Sequence, residues 1–198
     1  MQTAATVVPE PRDSSEKAAP YLIVATVTSA MIVIFAVLAI RSTYRFAPAF
    51  LVPATWAIFF LRRKLALAPL HYAIVCSAIL LHMSGAFGFY QKSPFPFSFD
   101  ILVHYYFALA ITFPLHRFLA THVPLRPRHI FALAFLIMMG LAALHEIMEY
   151  SSYLVLGEEQ GMLKPSTSYF FDTQRDLLNN LLGTLTALGL IPLRRVLK

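Results

Sequence analysis

The 198 residues are 58% hydrophobic and only 13% charged, with a mean hydropathy of +0.66, a balance that a water-soluble domain of this size has no core large enough to hide. The formal charge of +6 would suggest nucleic acid in a soluble chain. Here Lys and Arg stand in short clusters between apolar runs, as membrane flanks do, which argues for lipid and against nucleic acid as a partner. The one cysteine, Cys76, lies inside an apolar run, can form no internal disulfide and reads as a small buried hydrophobe.

A bilayer core of roughly 30 Å takes about 20 apolar residues to cross as a helix, so the apolar runs set the architecture. Residues 1–19 mix prolines, serines and charges of both signs without an apolar period and read as a disordered cytoplasmic tail. Residues 20–198 read as one all-α transmembrane domain of about six helices. Tyr21 to Ile40 carries no charge, is too long for a signal-peptide core, and is expected to be an uncleaved first span. The second, Phe46 to Leu61, is short, and Pro48 and Pro53 should kink it or push its start inward. Arg62, Arg63 and Lys64 end it, and Leu65 to Tyr90 form the third. Residues 91–99 alternate prolines with Phe95, Phe97 and Phe99, as suits either an aromatic segment at the membrane interface or an ordinary packed loop. The fourth span follows Asp100 and ends near Arg117, the fifth runs from about His129 to Leu156, and the sixth from Asp172 through Leu193. No internal repeat is apparent.

With these spans, eleven of the sixteen Lys and Arg residues fall on the side of the termini and five on the other. The positive-inside tendency therefore places both termini in the cytoplasm and segments 91–99 and 157–171 outside.

Charged side chains at membrane depth commonly cost about 2.5 kcal/mol or more at a helix centre, so those within or beside spans need a reason. Five of the ten acids are of this kind: Asp100, Glu146, Glu149, Asp172 and Asp176. The inferred topology brings all five to the outer half of the membrane. Asp100 and His104 are four apart, as are His145 and Glu149, and Asp172 and Asp176, so each pair shares a helix face. Together they could aim at one point. His82 is a further candidate, although a single histidine in a span commonly serves as a hydrogen-bonded packing residue.

Like charges and desolvation both disfavour five ionised carboxylates in a low-dielectric region, so something must neutralise them. A divalent metal (Zn, Mn, Fe or Mg) held by Asp100, His104, Glu149, Asp172 and Asp176 is one answer. Protonation, or pairing with Arg175 and the histidines, is another. Each group also has a plainer account. Asp100 and Asp172 stand where helices begin and could be N-caps, and Asn179, Asn180 and Gly183 could serve helix contacts. The stretch His145-Glu-Ile-Met-Glu149 ends in Glu where a zinc-protease HExxH motif needs His, which rules that reading out.

At these residues the chain resembles the YjdF-type family of small bacterial inner-membrane proteins and, more distantly, the VanZ-like membrane proteins associated with glycopeptide resistance. The matching pieces are Asp100-Ile-Leu-Val-His104, Glu146-Ile-Met-Glu149, and Phe171-Asp-Thr-Gln-Arg-Asp176 followed by Asn180 and Gly183. The resemblance covers about residues 80–190. It implies a multi-pass protein of the bacterial plasma membrane, and it carries over Asp100, His104, Glu146, Glu149, Asp172 and Asp176 as site residues but not His145. It transfers no reaction.

Three functions compete. In the first, a metal-dependent membrane enzyme acts at the outer leaflet on a lipid or lipid-linked substrate, with Glu146 or His145 as base toward a water. In the second, the same acids form the relay of a transporter or proton-coupled permease. In the third, a non-catalytic membrane subunit uses its acids to lock the bundle and its aromatic loop to meet a membrane-protein partner. The first is preferred, because acids that only lock a bundle are replaceable by packing residues at little cost.

Overall fold

A computed structural model describes residues 18–39, 46–157 and 169–196. The expected tail over residues 1–17, the links over 40–45 and 158–168, and the basic Lys198 lie outside the described residues. Six helices follow one another: α1 (Ala19–Leu38), α2 (Pro48–Leu61), α3 (Pro69–Ser84), α4 (Phe99–His122), α5 (Pro127–Leu156) and α6 (Tyr169–Val196). No strand occurs among the described residues.

Prolines mark several starts. Pro48, Pro69 and Pro127 each open a helix, where the missing N–H is unneeded and the fixed φ is already helical. The second helix begins at Pro48 and continues through Pro53. At 14 residues it extends about 21 Å, short of a full bilayer core. α1, α3 with its following 3-10 turn, α4 and α5 are each long and apolar enough to cross a membrane. α6 has the length, 28 residues, but carries the polar residues of the site in its first half. α3 is shorter than expected: it gives way after Ser84 to the turn Gly85–Phe87, which closes on Gly88 at φ +87°, a left-handed conformation that glycine adopts without penalty.

The path is a steady alternation, fixed by side chains that pin the helix ends. The Tyr21 hydroxyl donates to the Leu67 carbonyl at 2.7 Å, and Arg117 Nε donates to the Ala66 carbonyl at 2.6 Å. The start of α1, the start of α3 and the end of α4 therefore share one end of the bundle. At the other end Ile32 packs with Ile79, Met83 and Leu51. α4 and α6 run parallel and pack most extensively, with α5 antiparallel to both and touching each. α1 packs on α2 and α3, and α3 links this group to α4.

Tyr21, Ala25, Phe59, Leu67, Tyr72 and Cys76 form one core cluster. The buried tyrosines keep their hydroxyls satisfied, Tyr72 donating to the Thr55 carbonyl at 3.0 Å, as an aromatic with a polar tip must when desolvated. Leu119, Ile130, Ala134 and Leu188 make a second core between the end of α4, the start of α5 and the second half of α6. Large apolar side chains such as Ile23, Phe50, Leu136 and Leu154 cover much of the outside, the surface of a bundle whose solvent is hydrocarbon.

Candidate metal centre

The site occupies the end of the bundle opposite the Arg62–Lys64 cluster, and it is assembled by α4, α5 and α6. The parallel α4–α6 pair comes first. Gly183 lies against the backbone of Tyr105 and Leu109, where a Cβ would overlap the Tyr105 carbonyl oxygen. That close approach lets the first two turns of each helix meet side chain to side chain, and Tyr105 Oη donates to Thr186 Oγ1 at 3.1 Å one turn further in.

His104 is the hub. Its Nε2 lies 3.5 Å from Asp100 Oδ1 on its own helix and 3.7 Å from Asp176 Oδ2 on α6. Its Nδ1 faces the Asn180 amide nitrogen at 3.1 Å and Glu146 Oε1 at 3.9 Å. The imidazole is buried at 5% exposure. With the amide nitrogen donating, Nδ1 is the acceptor and the ring proton sits on Nε2 between the two aspartates. Turning the amide presents its oxygen instead, moves the proton to Nδ1 and frees the Nε2 lone pair for a cation. Asn180 thereby selects between a proton-donating and a metal-ligating histidine.

Two three-residue groups offer donor atoms that all lie within 4.8 Å of one another: Asp100, His104 and Asp176, and His104, His145 and Glu149. Both include His104. His145 pairs with Glu149 at 3.2 Å, and its ring centroid stands 5.6 Å from that of His104. Asp172 and Glu146 belong to neither group. Asp172 instead accepts from Arg175 Nη2, which also reaches Asp100 Oδ2 at 3.2 Å, while Arg175 Nε stands 3.5 Å from Asp176 Oδ1.

Glu146 is the outlier. It is 5% exposed, and neither carboxylate oxygen makes a hydrogen bond. Asp176 Oδ1 is likewise buried without a hydrogen bond. Buried acceptors in that condition are costly and call for a proton, a cation or a ligand.

Asp100, His104, His145, Glu146, Glu149, Asp172 and Asp176 thus come to one end of the bundle, six of them in two overlapping groups and an arginine fork, with Glu146 beside His104. Asp100 and Asp172 both stand in the first turn of a helix, at the positive end of its dipole, but neither is the N-cap residue itself. The N-cap of α4 is Ser98, with Asp100 already in the first turn, and Asp172 lies three residues inside α6. Asn179 donates back to the Arg175 carbonyl of its own helix, so among the described residues only Asn180 of the two asparagines bonds across. Sequence reasoning missed the Tyr90 hydroxyl, which holds His82 Nδ1 at 2.8 Å. Its signal was Gly85, whose Cβ would overlap the Tyr90 ring. His82 is an electrostatic neighbour of His145, Glu149 and His104.

An open apolar groove of about 540 Å³, lined by Met31, Phe35, Leu80 and Leu102, lies between α1, α3 and α4. Leu102 and Tyr106 are each two residues from a site residue, hence on the opposite side of α4. Its hydroxyls Ser77 and Tyr106 bond each other at 2.8 Å.

Helices long enough to span, an apolar exterior and a buried acidic cluster define a polytopic α-helical membrane protein. A family model described as predicted membrane protein (DUF2238) matches residues 20–196. The chain belongs to that family, which is the YjdF-type family. No curated protein and no solved structure matches it.

Proposed function

We propose that the protein is a metal-dependent enzyme of the bacterial inner membrane, acting at the external face on a lipid or lipid-linked substrate. Residues 20–198 then form one transmembrane domain with both termini in the cytoplasm. The carrying observation is the meeting of Asp100, His104 and Asp176 inside an apolar bundle, next to a Glu146 carboxylate whose oxygens are buried without a hydrogen bond. Mixed carboxylate and imidazole donors suit Zn, Mn or Fe better than Mg, which prefers oxygen alone.

In this reading Asp100 Oδ1, His104 Nε2 and Asp176 Oδ2 hold the cation, with Asn180 accepting the Nδ1 proton of His104. A divalent ion there supplies Lewis-acid activation. Glu146 is the base that takes a proton from water. His145 and Glu149, at the more exposed edge of α5, contact the substrate. Arg175 and Asp172 brace the aspartates. The transporter reading has less support: below the cluster, Thr112 and Thr184 turn their hydroxyls onto carbonyls of their own helices, a poor start for a relay across the membrane.

Elemental analysis of detergent-purified protein tests the proposal. Wild type should carry a stoichiometric divalent metal. Asp176→Asn should lose it and Glu149→Gln should keep it, which assigns the ion to the α4–α6 group. Phospholipid vesicles incubated with loaded protein should yield a product that Glu146→Gln does not make. Metal-free wild type that still makes the product would overturn the reading.

A further inference from the structure

The aspartates of the site divide their oxygens. Asp100 turns Oδ1 to His104 and Oδ2 to Arg175; Asp176 turns Oδ2 to His104 and Oδ1 to Arg175. Two carboxylates therefore bridge the proposed cation position and the guanidinium, and they hold Arg175 beside it. Arg175 Nη2 is engaged twice, by Asp100 and Asp172, and Nε is buried. Nη1, with two N–H groups, makes no hydrogen bond to any described residue, and 30% of the side chain is exposed. A guanidinium whose inner edge is anchored and whose outer donors are free is a receptor half-built. The other half is the cation.

The geometry points to an anion site formed jointly by the cation and Arg175 Nη1, and to a phosphate oxyanion as its ligand. The inference rests on the cation site proposed above. Metal and arginine side by side clamp a phosphoryl group by complementary means, the ion as a point charge and the guanidinium as a directed fork. Without the ion, five acids outnumber one arginine here, and an anion is repelled. Binding is therefore ordered, cation first. The phosphate can belong to a lipid headgroup or be free in solution.

Titration calorimetry on the full chain in detergent decides this, with Mn²⁺ as the metal. The probes are inorganic phosphate, a short-chain phosphatidic acid, and the diacylglycerol of the same chains. Manganese uptake is measured separately for each protein. Wild type should bind phosphate-bearing probes only after Mn²⁺, and the diacylglycerol not at all. Arg175→Gln should keep Mn²⁺ and bind phosphate at least about tenfold more weakly, the loss of a charge-assisted pair. Arg175→Lys retains the charge that braces the aspartates, so it covers the case in which the glutamine variant does not fold; it should keep Mn²⁺ and lose phosphate affinity in part. Stronger binding of phosphatidic acid than of phosphate assigns a lipid headgroup, and the reverse assigns a soluble anion. Unchanged phosphate binding in both variants, phosphate binding without Mn²⁺, or loss of Mn²⁺ in both variants would each overturn the inference while leaving the cation site standing. Wild type that takes up no Mn²⁺ removes both.

Discussion

Glu146 separates a residue kept for function from one kept for stability. A buried carboxylate with no hydrogen bond to either oxygen costs folding free energy in whichever protonation state it takes. Replacing it by an apolar side chain of similar size removes that cost, as replacing buried charges often does. Glu146→Leu should therefore raise the thermal midpoint in detergent, by roughly 2–4 °C for each kcal/mol regained in a chain of this length, while metal content stays unchanged and product formation ceases. A fall in the midpoint, read by differential scanning fluorimetry, would mean the carboxylate has a stabilising partner and is part of the scaffold. His104 makes the opposite case. It is satisfied on both nitrogens by Asp100, Asp176 and Asn180, so its loss should cost stability and metal together.

The arrangement of α4 against α6 decides whether the site exists at all. Gly183 carries that contact, since a Cβ there would meet the Tyr105 carbonyl, whereas Gly189 on the same helix has nothing within 4 Å of its Cβ position. Gly183→Ala should then force the helices apart, at about 1–3 kcal/mol for overpacking, and lower both thermal midpoint and metal content. Gly189→Ala is the internal control and should be neutral or stabilising by about 0.5–1 kcal/mol, the helix preference of alanine over glycine. Equal effects of the two would show that close approach at Gly183 is not what aligns the site. This contact also marks the boundary of what the sequence discloses. The pairs Asp100 with His104 and His145 with Glu149 follow from four-residue spacing. That α4 and α6 run parallel and touch, that His104 belongs to both groups, and that Arg175 pairs with Asp100, Asp172 and Asp176 together do not follow. α4 is apolar on nearly every face because both its lipid and its protein surroundings are apolar, so no stripe announces which side turns inward. Only the buried polar residues break that symmetry, and their partners come from helices distant in the chain.

For the molecule as a whole, the alternating path sends the basic residues Arg62, Arg63, Lys64, Arg117, Arg126 and Arg128 to one end of the bundle. The carboxylate cluster and the aromatic 85–98 segment lie at the other. The segregation is what the positive-inside tendency acts on, and it makes the orientation a property of the two ends rather than of one loop. The substrate proposal depends on it, because the same cluster facing the cytoplasm would meet inner-leaflet lipids and a different pool of phosphate esters. Cys76 is 1% exposed, and Cys76→Ser leaves a cysteine-free chain in which single thiols can be placed. Lys92→Cys, exposed in the same segment as the stacked Phe95 and Phe97 rings, should react with a membrane-impermeant maleimide on intact cells. Lys64→Cys, exposed at the basic end, should react only after the membrane is opened. The reverse pattern would turn the protein over and move its chemistry to the cytoplasmic leaflet, and the assembled cluster of α4, α5 and α6 would remain as it is.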